Sequence, residues 1–164
     1  MIKLATAAAC IVLLTTTVAG AKTLAVKDPV SATKELYAAI EKDFDKATDD
    51  LPMSARLNAL EALDQKEAHG EVGRLDGNIY VNAQDAKISN VQITSRTVEN
   101  AKERMIVVVR FKNFDDQQEI HFFWEKSKSG WVVDDVRALG PDGGSTLSLM
   151  LKYGWDGPEA LEKK

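Results

Sequence analysis

Cysteine is nearly missing from this chain: Cys10 is the one cysteine among 164 residues, and it lies in an apolar N-terminal stretch. Once that stretch is removed, a disulfide framework, a cysteine-bound zinc and thiol catalysis are all excluded, and stability has to come from packing. Histidine is almost as scarce. His69 and His121 lie far apart in the sequence, and two separated histidines do not make a transition-metal site, so no metal and no cofactor is expected. Positive charge is not in excess either: 21 Lys and Arg stand against 25 Asp and Glu, a formal net charge of -4. With no basic stripe to offset that acidity, nucleic-acid binding is disfavoured. No apolar run reaches the roughly 20 residues that a membrane-spanning helix needs. The chain also has no G-x-S-x-G, and hydroxyls such as Ser31 and Ser54 stand in no setting that supports hydrolase chemistry.

What is present begins with an address. Lys3, an apolar run from Ala5 to Val18 and the small residues Ala19-Gly20-Ala21 have the charged start, hydrophobic middle and A-x-A end of a secretory signal peptide cleaved before Lys22. Ala7-Ala8-Ala9 precede Cys10 without the usual leucine, which argues against a lipid anchor. Residues 1–21 are therefore expected to be a signal peptide and residues 22–164 a single domain, periplasmic or secreted, with no membrane span after cleavage. About 143 residues suit one hydrophobic core. The mixed-charge tail, 159–164, reads as a solvated end.

Asp28-Pro29 has the form of a helix start, and Leu36, Tyr37, Ile40 and Phe44 follow at helical spacing. A second helical stretch, about 53–63, is separated from the first by Asp49-Asp50-Leu51-Pro52, and the two are expected to form a hairpin. A connector with Gly70, Gly73 and Gly77 reads as a loop. The period then becomes strand-like over 88–97, 104–114, 118–126 and 131–136, with short polar turns that favour an antiparallel meander. A last helix, 146–153, follows a Ser145 cap. The expected fold is α+β: an N-terminal helical hairpin packed on a curved four-stranded meander, with a short C-terminal helix.

Closing the middle hairpin at Asp115-Asp116 sets Arg110 opposite His121, Lys112 opposite Glu119 and Val109 opposite Phe122. The same scheme places Val91 and Ile93 on the face of Arg110 and His121, and Phe123 opposite Asp134. Both faces of the sheet then carry apolar surface. One helix covers one of them, so the other calls for a further element, a ligand, an envelope protein or a second copy through the sheet.

The stretch Asp76-Gly77-Asn78-Ile79-Tyr80-Val81-Asn82-Ala83-Gln84-Asp85 and the late Trp131-Val132-Val133-Asp134-Asp135-Val136 resemble a bacterial secreted family known only as a domain of unknown function. The element order resembles the cystatin-like or nuclear-transport-factor-2-like group of folds. The resemblance, over about residues 30–153, implies a periplasmic α+β domain with no established activity. One fold hosts enzymes, binding modules and interaction domains alike, so it does not carry a function.

The candidate chemistry is sparse. Adjacent strand residues point to opposite faces, so one of Asp134 and Asp135 is expected to face inward, where an apolar setting can make it a general base, with His121 assisting. The commoner reading is a strand-end cap or an ion pair. Arg110 and His121, with Glu119 and Lys112, form a cross-strand cluster suited to an anion, or an ordinary set of salt bridges on a soluble face. Trp124, Trp131 and Tyr37 are candidates to line a small-molecule cavity between helix and sheet, though aromatics at strand spacing usually belong to a core. Gly140-Pro141-Asp142-Gly143-Gly144-Ser145 reads as a turn and lacks the ending of a phosphate loop. The functional expectation is an exported binding or protein-interaction module of the bacterial envelope, taking an envelope protein or a small apolar or anionic ligand. The alternatives are a lyase or isomerase using an inward Asp, and an inhibitor that restrains an envelope enzyme.

Overall fold

Alternation at a period of two begins at Ile88, and the chain answers with long strands. The computed structural model describes residues 25–47, 51–75, 77–140 and 143–154. β1 (Ile88–Val98), β2 (Ala101–Asn113), β3 (Asp116–Ser127) and β4 (Gly130–Gly140) form an antiparallel meander, which a short β5 (Gly143–Thr146) extends to the sheet order β1-β2-β3-β4-β5. Residues 1–21, expected to be a signal peptide, the Asp49-Asp50 turn, Asp76, Pro141-Asp142 and the tail 159–164 lie outside the described residues. Gly143–Ser145, expected as turn and helix cap, pairs with β4 instead: Leu139 faces Gly144 and Ala138 faces Ser145.

Among the described residues three α-helices accompany the sheet. α1 (Pro29–Lys42) starts as its sequence suggests: Asp28 accepts from the backbone N–H groups of Val30 (3.1 Å) and Ser31 (3.2 Å), with Pro29 in the first turn. α2 (Ala55–Glu67) is capped by Ser54, whose Oγ accepts from Leu57 N at 3.2 Å. α3 (Leu147–Tyr153) has Thr146 rather than Ser145 at its N-cap position, with no side-chain cap bond. Among the described residues, no helix is long and apolar enough to cross a membrane.

The helical hairpin does not form as a packed pair. α1 lies on β1 and β2, whereas α2 packs on α3 and β4. The cause is the segment between them. Pro52 O accepts from Val133 N at 2.7 Å and Ser54 N donates to Val133 O at 2.8 Å, so the start of α2 is pinned to the free edge of β4. Val26 exchanges both backbone bonds with Trp131 on the same edge, at 3.0 and 2.8 Å. β4 is thus covered along its length by Val26, then Met53, then β5, which removes an unpaired edge.

All three helices meet one face of the sheet. Leu36, Tyr37 and Ile40 of α1, Leu57 of α2, and Leu147, Met150 and Leu151 of α3 share a core with Val107, Val109, Phe111, Ile120, Phe122, Trp124, Val133 and Val136. The connector read as a loop is part of this core: Ile79, Tyr80 and Val81 are buried, and the Tyr80 ring stacks on Phe122 with centroids 5.5 Å apart. Tyr37 is 1 % exposed and donates its hydroxyl proton to Tyr80 O at 2.6 Å. Each of these fully buried aromatics contributes about 1.5–3 kcal/mol of burial.

The register departs from the expected one in three places. The β2–β3 turn closes one position earlier, with Asn113 facing Asp116, so Arg110 faces Glu119, His121 faces Val108, Lys112 faces Gln117 and Val109 faces Ile120. That shift is by two, and it leaves every side chain on its expected face. On β2, Lys102, Glu103 and Arg104 have no partners on β1, because Val98 faces Ala101 while Thr97 faces Met105. An odd insertion inverts the facing of β1, so Ile93 lies opposite Val109, and Val91 and Ile93 pack against the core rather than beside Arg110 and His121. On β4, Trp124 faces Val133 as expected, but Phe123 faces Asp135, leaving Asp134 as an extra residue.

Candidate functional site

The face opposite the helices carries no covering element among the described residues. Ile106, Val108 and Phe123 lie side by side there, with Arg96, Arg110, Glu119, His121 and Arg137 around them. A groove of about 500 Å³ runs over this face. Phe123 and Ile106 line its middle, Val98 and Arg104 lie on the β1–β2 side, and Arg137 and Thr146 lie on the β4–β5 side. Its size falls in the range of small-molecule sites.

Both candidate catalytic acids line this groove, and both are tied up. The bulge at Asp134 and Asp135 lets two successive side chains meet the same neighbours, where regular pleating would send them to opposite faces. Asp134 Oδ1 accepts from Ser54 Oγ at 3.0 Å and from Arg56 Nε at 3.2 Å. Asp135 accepts from Arg56 Nη2 at 3.3 Å, Ser148 N at 3.1 Å, Ser148 Oγ at 2.5 Å and Val136 N at 3.0 Å. Arg56 Nη2 also donates to the Asp134 carbonyl, in the gap where the pairing of β4 passes from Pro52–Ser54 to β5. Partial burial pulls the Arg56 guanidinium down, but hydrogen bonding to Asp134 and the charges of both aspartates outweigh it and hold it above its ordinary value. The two aspartates thus tie the edge of β4 to the starts of α2 and α3, with Asp134 bonded through Oδ1 alone.

The space between α1 and the sheet is packed, apart from a cleft of about 230 Å³ at β1 lined by Tyr37, Val91 and Ile93. Trp124 and Tyr37 are each 1 % exposed, and Tyr37 packs on Phe111 and Phe122 at 5.5 and 6.2 Å between centroids. Burial, with a smaller contribution from Tyr80, pushes the Tyr37 phenol well above its ordinary value and keeps it a neutral donor. Trp131 is half-buried against the core, and its backbone pairs with Val26. All three take part in the packing, and Trp124 also borders the groove on the bare face. Ser31 Oγ is likewise engaged, donating to Asp28 Oδ2 at 2.5 Å.

Arg110 and His121 do come together, through Glu119 rather than directly. Arg110 Nε donates to Glu119 Oε2 at 2.5 Å, and His121 Nε2 contacts Glu119 Oε1. The His121 hydrogen bond first, then Arg110, holds the Glu119 carboxyl below its ordinary value against the opposing pull of burial. They line a second, smaller groove of about 320 Å³ with Thr94, Arg96 and Val108. His69 is exposed in the loop after α2, far from this cluster in the chain. Among the described residues, no three His, Cys, Asp or Glu side chains come together as a metal site.

Several residues that shape the bare face carried no motif. Arg104 and Arg137 belong to strands whose alternation places them on the polar side, but only the register shows that they flank Phe123. Arg56 did carry a signal: a cation in the first turn of a helix opposes the helix dipole and implies a specific acidic partner. Compared with known proteins, the chain matches no family model, no curated protein and no solved structure.

Proposed function

We propose that this chain is an exported binding module, of cystatin-like or nuclear-transport-factor-2-like layout, that engages its ligand on the bare face of its sheet. The observation that carries the reading is that face itself. Phe123 and Ile106, both part-exposed, are held there by the strand register on the floor of a groove of ligand size, while all three helices serve the opposite face. Apolar side chains presented together on an otherwise polar surface favour a partner. The signal-peptide pattern of residues 1–21 supports export to the periplasm or beyond. Binding is favoured over catalysis because Asp134 and Asp135 are hydrogen-bonded to Arg56, Ser54 and Ser148, contacts that tie the edge of β4 to α2 and α3.

An envelope protein or a second copy of the chain would use the same face, and one experiment separates the cases. Native mass spectrometry of the protein from an envelope extract is expected to show an added mass that dissociates on activation. Phe123→Glu, which places a charge on the groove floor without touching the core, is expected to lose it while melting normally. A small added mass identifies a ligand, a doubled mass a homodimer, and a larger unequal mass a protein partner. Retention of the mass by Phe123→Glu, or its absence from both proteins, overturns the proposal.

A further inference from the structure

The groove on the bare face has two ends of different chemistry. At the β4–β5 end, Arg137 faces Thr146 across the strand pair, and its side chain lies along β5, with Nε 3.9 Å from where a Cβ on Gly144 would stand. The acids closest to it in the fold are already committed: Asp134 and Asp135 to Arg56 and the serines, and Glu119 to Arg110 and His121. Arg137 has no hydrogen bond or ion pair among the described residues. Its guanidinium, exposed at the end of an apolar floor, is an uncommitted bidentate donor for a planar anion. At the other end, Arg104 likewise makes no ion pair among the described residues, but an acid, Glu125, lies directly opposite it in the register, whereas Arg137 faces His121 and Thr146 across its strands.

Resting on the reading that the bare face binds a ligand, we propose that the groove takes a carboxylate with an extended apolar body. The carboxylate pairs with Arg137 and reaches the Thr146 hydroxyl, and the apolar body lies over Phe123 and Ile106 toward Val98. A neutral amphiphile of the same length would leave Arg137 unpaired and gain only the apolar contact. An amine would find the groove's acids already occupied near Arg137. Charge complementarity at one end and an apolar floor along the rest thus point to one class of ligand.

Decanoate and decanol, both below their aggregation limits, test this by amide chemical-shift titration of the protein. Decanoate is expected to shift the amides of Phe123, Ile106, Arg137 and Thr146 along saturable curves, with decanol at least tenfold weaker. Arg137→Gln is expected to weaken decanoate at least tenfold and leave decanol unchanged. Equal affinity for the two probes, or an unaltered decanoate curve in Arg137→Gln, overturns the carboxylate assignment. So does the absence of shifts with either probe. If the native added mass described above is nevertheless lost in Phe123→Glu, that failure belongs to the ligand class alone, whereas missing shifts together with no such mass sink both readings.

Discussion

Glu119 is shared by Arg110 and His121, and its carboxyl lies below the ordinary carboxylate value because the ionised form is the one they stabilise. A depressed value in the folded state adds stability above the ordinary value of 4.5 and loses it as pH falls through the folded-state value. Glu119→Gln should therefore lower stability at neutral pH, where the ionised form contributes, change little near pH 3, and so flatten the acid limb of the stability profile, as read from urea midpoints between pH 3 and 7. An equally steep acid limb in the variant would assign the loss to other carboxylates. A second residue-scale expectation concerns Phe114, which takes a φ of 52° in the β2–β3 turn and is 53 % exposed. A left-handed backbone costs an ordinary residue about 1–2 kcal/mol, while asparagine tolerates it better. Phe114→Asn should raise the melting temperature, and an unchanged or lower value would show that the ring contributes more than the backbone loses.

Among elements, the bulge in β4 connects the edge of the sheet to two helices. Asp135 holds the start of α3 through Ser148, and Arg56 at the start of α2 reaches both aspartates. Asp135→Ala leaves the Ser148 donors and part of Arg56 without acceptors, at an expected cost of about 1–3 kcal/mol. In a double-mutant cycle with Arg56→Ala the losses should fall short of additivity, and strictly additive values would mean that the two side chains act separately. How much of this was legible follows from which physical signal each element sends. Period-two runs and the Asp28-Pro29 cap announced the four long strands and α1, because burial and capping act over a few neighbouring residues. The Lys102–Arg104 segment, without partners on β1, and the extra Asp134 send no such signal. A bulge is decided by cross-strand packing, and its effect is large: it turned Val91 and Ile93 toward the core and brought Asp134 and Asp135 to one neighbourhood. The buried Ile79-Tyr80-Val81 segment was equally hidden, since it lacks a period and is held by contacts with Tyr37 and Phe122.

For the molecule as a whole, the sheet divides one apolar pair of neighbours between two fates. Phe122 is fully buried in the core, and Phe123 lies on the open side. Phe122→Ala should cost about 3–5 kcal/mol, as large core truncations do. Phe123→Ser should cost about 1 kcal/mol or less, since it opens no cavity between the sheet and the helices. Comparable losses from chemical denaturation would mean that the outer face is covered in solution. The closure of β4 has a consequence for how the chain reaches this state. The β1–β3 meander assembles from neighbours in sequence, whereas the free edge of β4 waits for Val26 from the beginning, Met53 from the middle and β5 from the end. Until those arrive, the nascent protein presents an unpaired strand to its surroundings. Its hazard during refolding is strand exchange between molecules, so the yield should fall as concentration rises, and amides along this seam should be the first in the sheet to trade their protons with water.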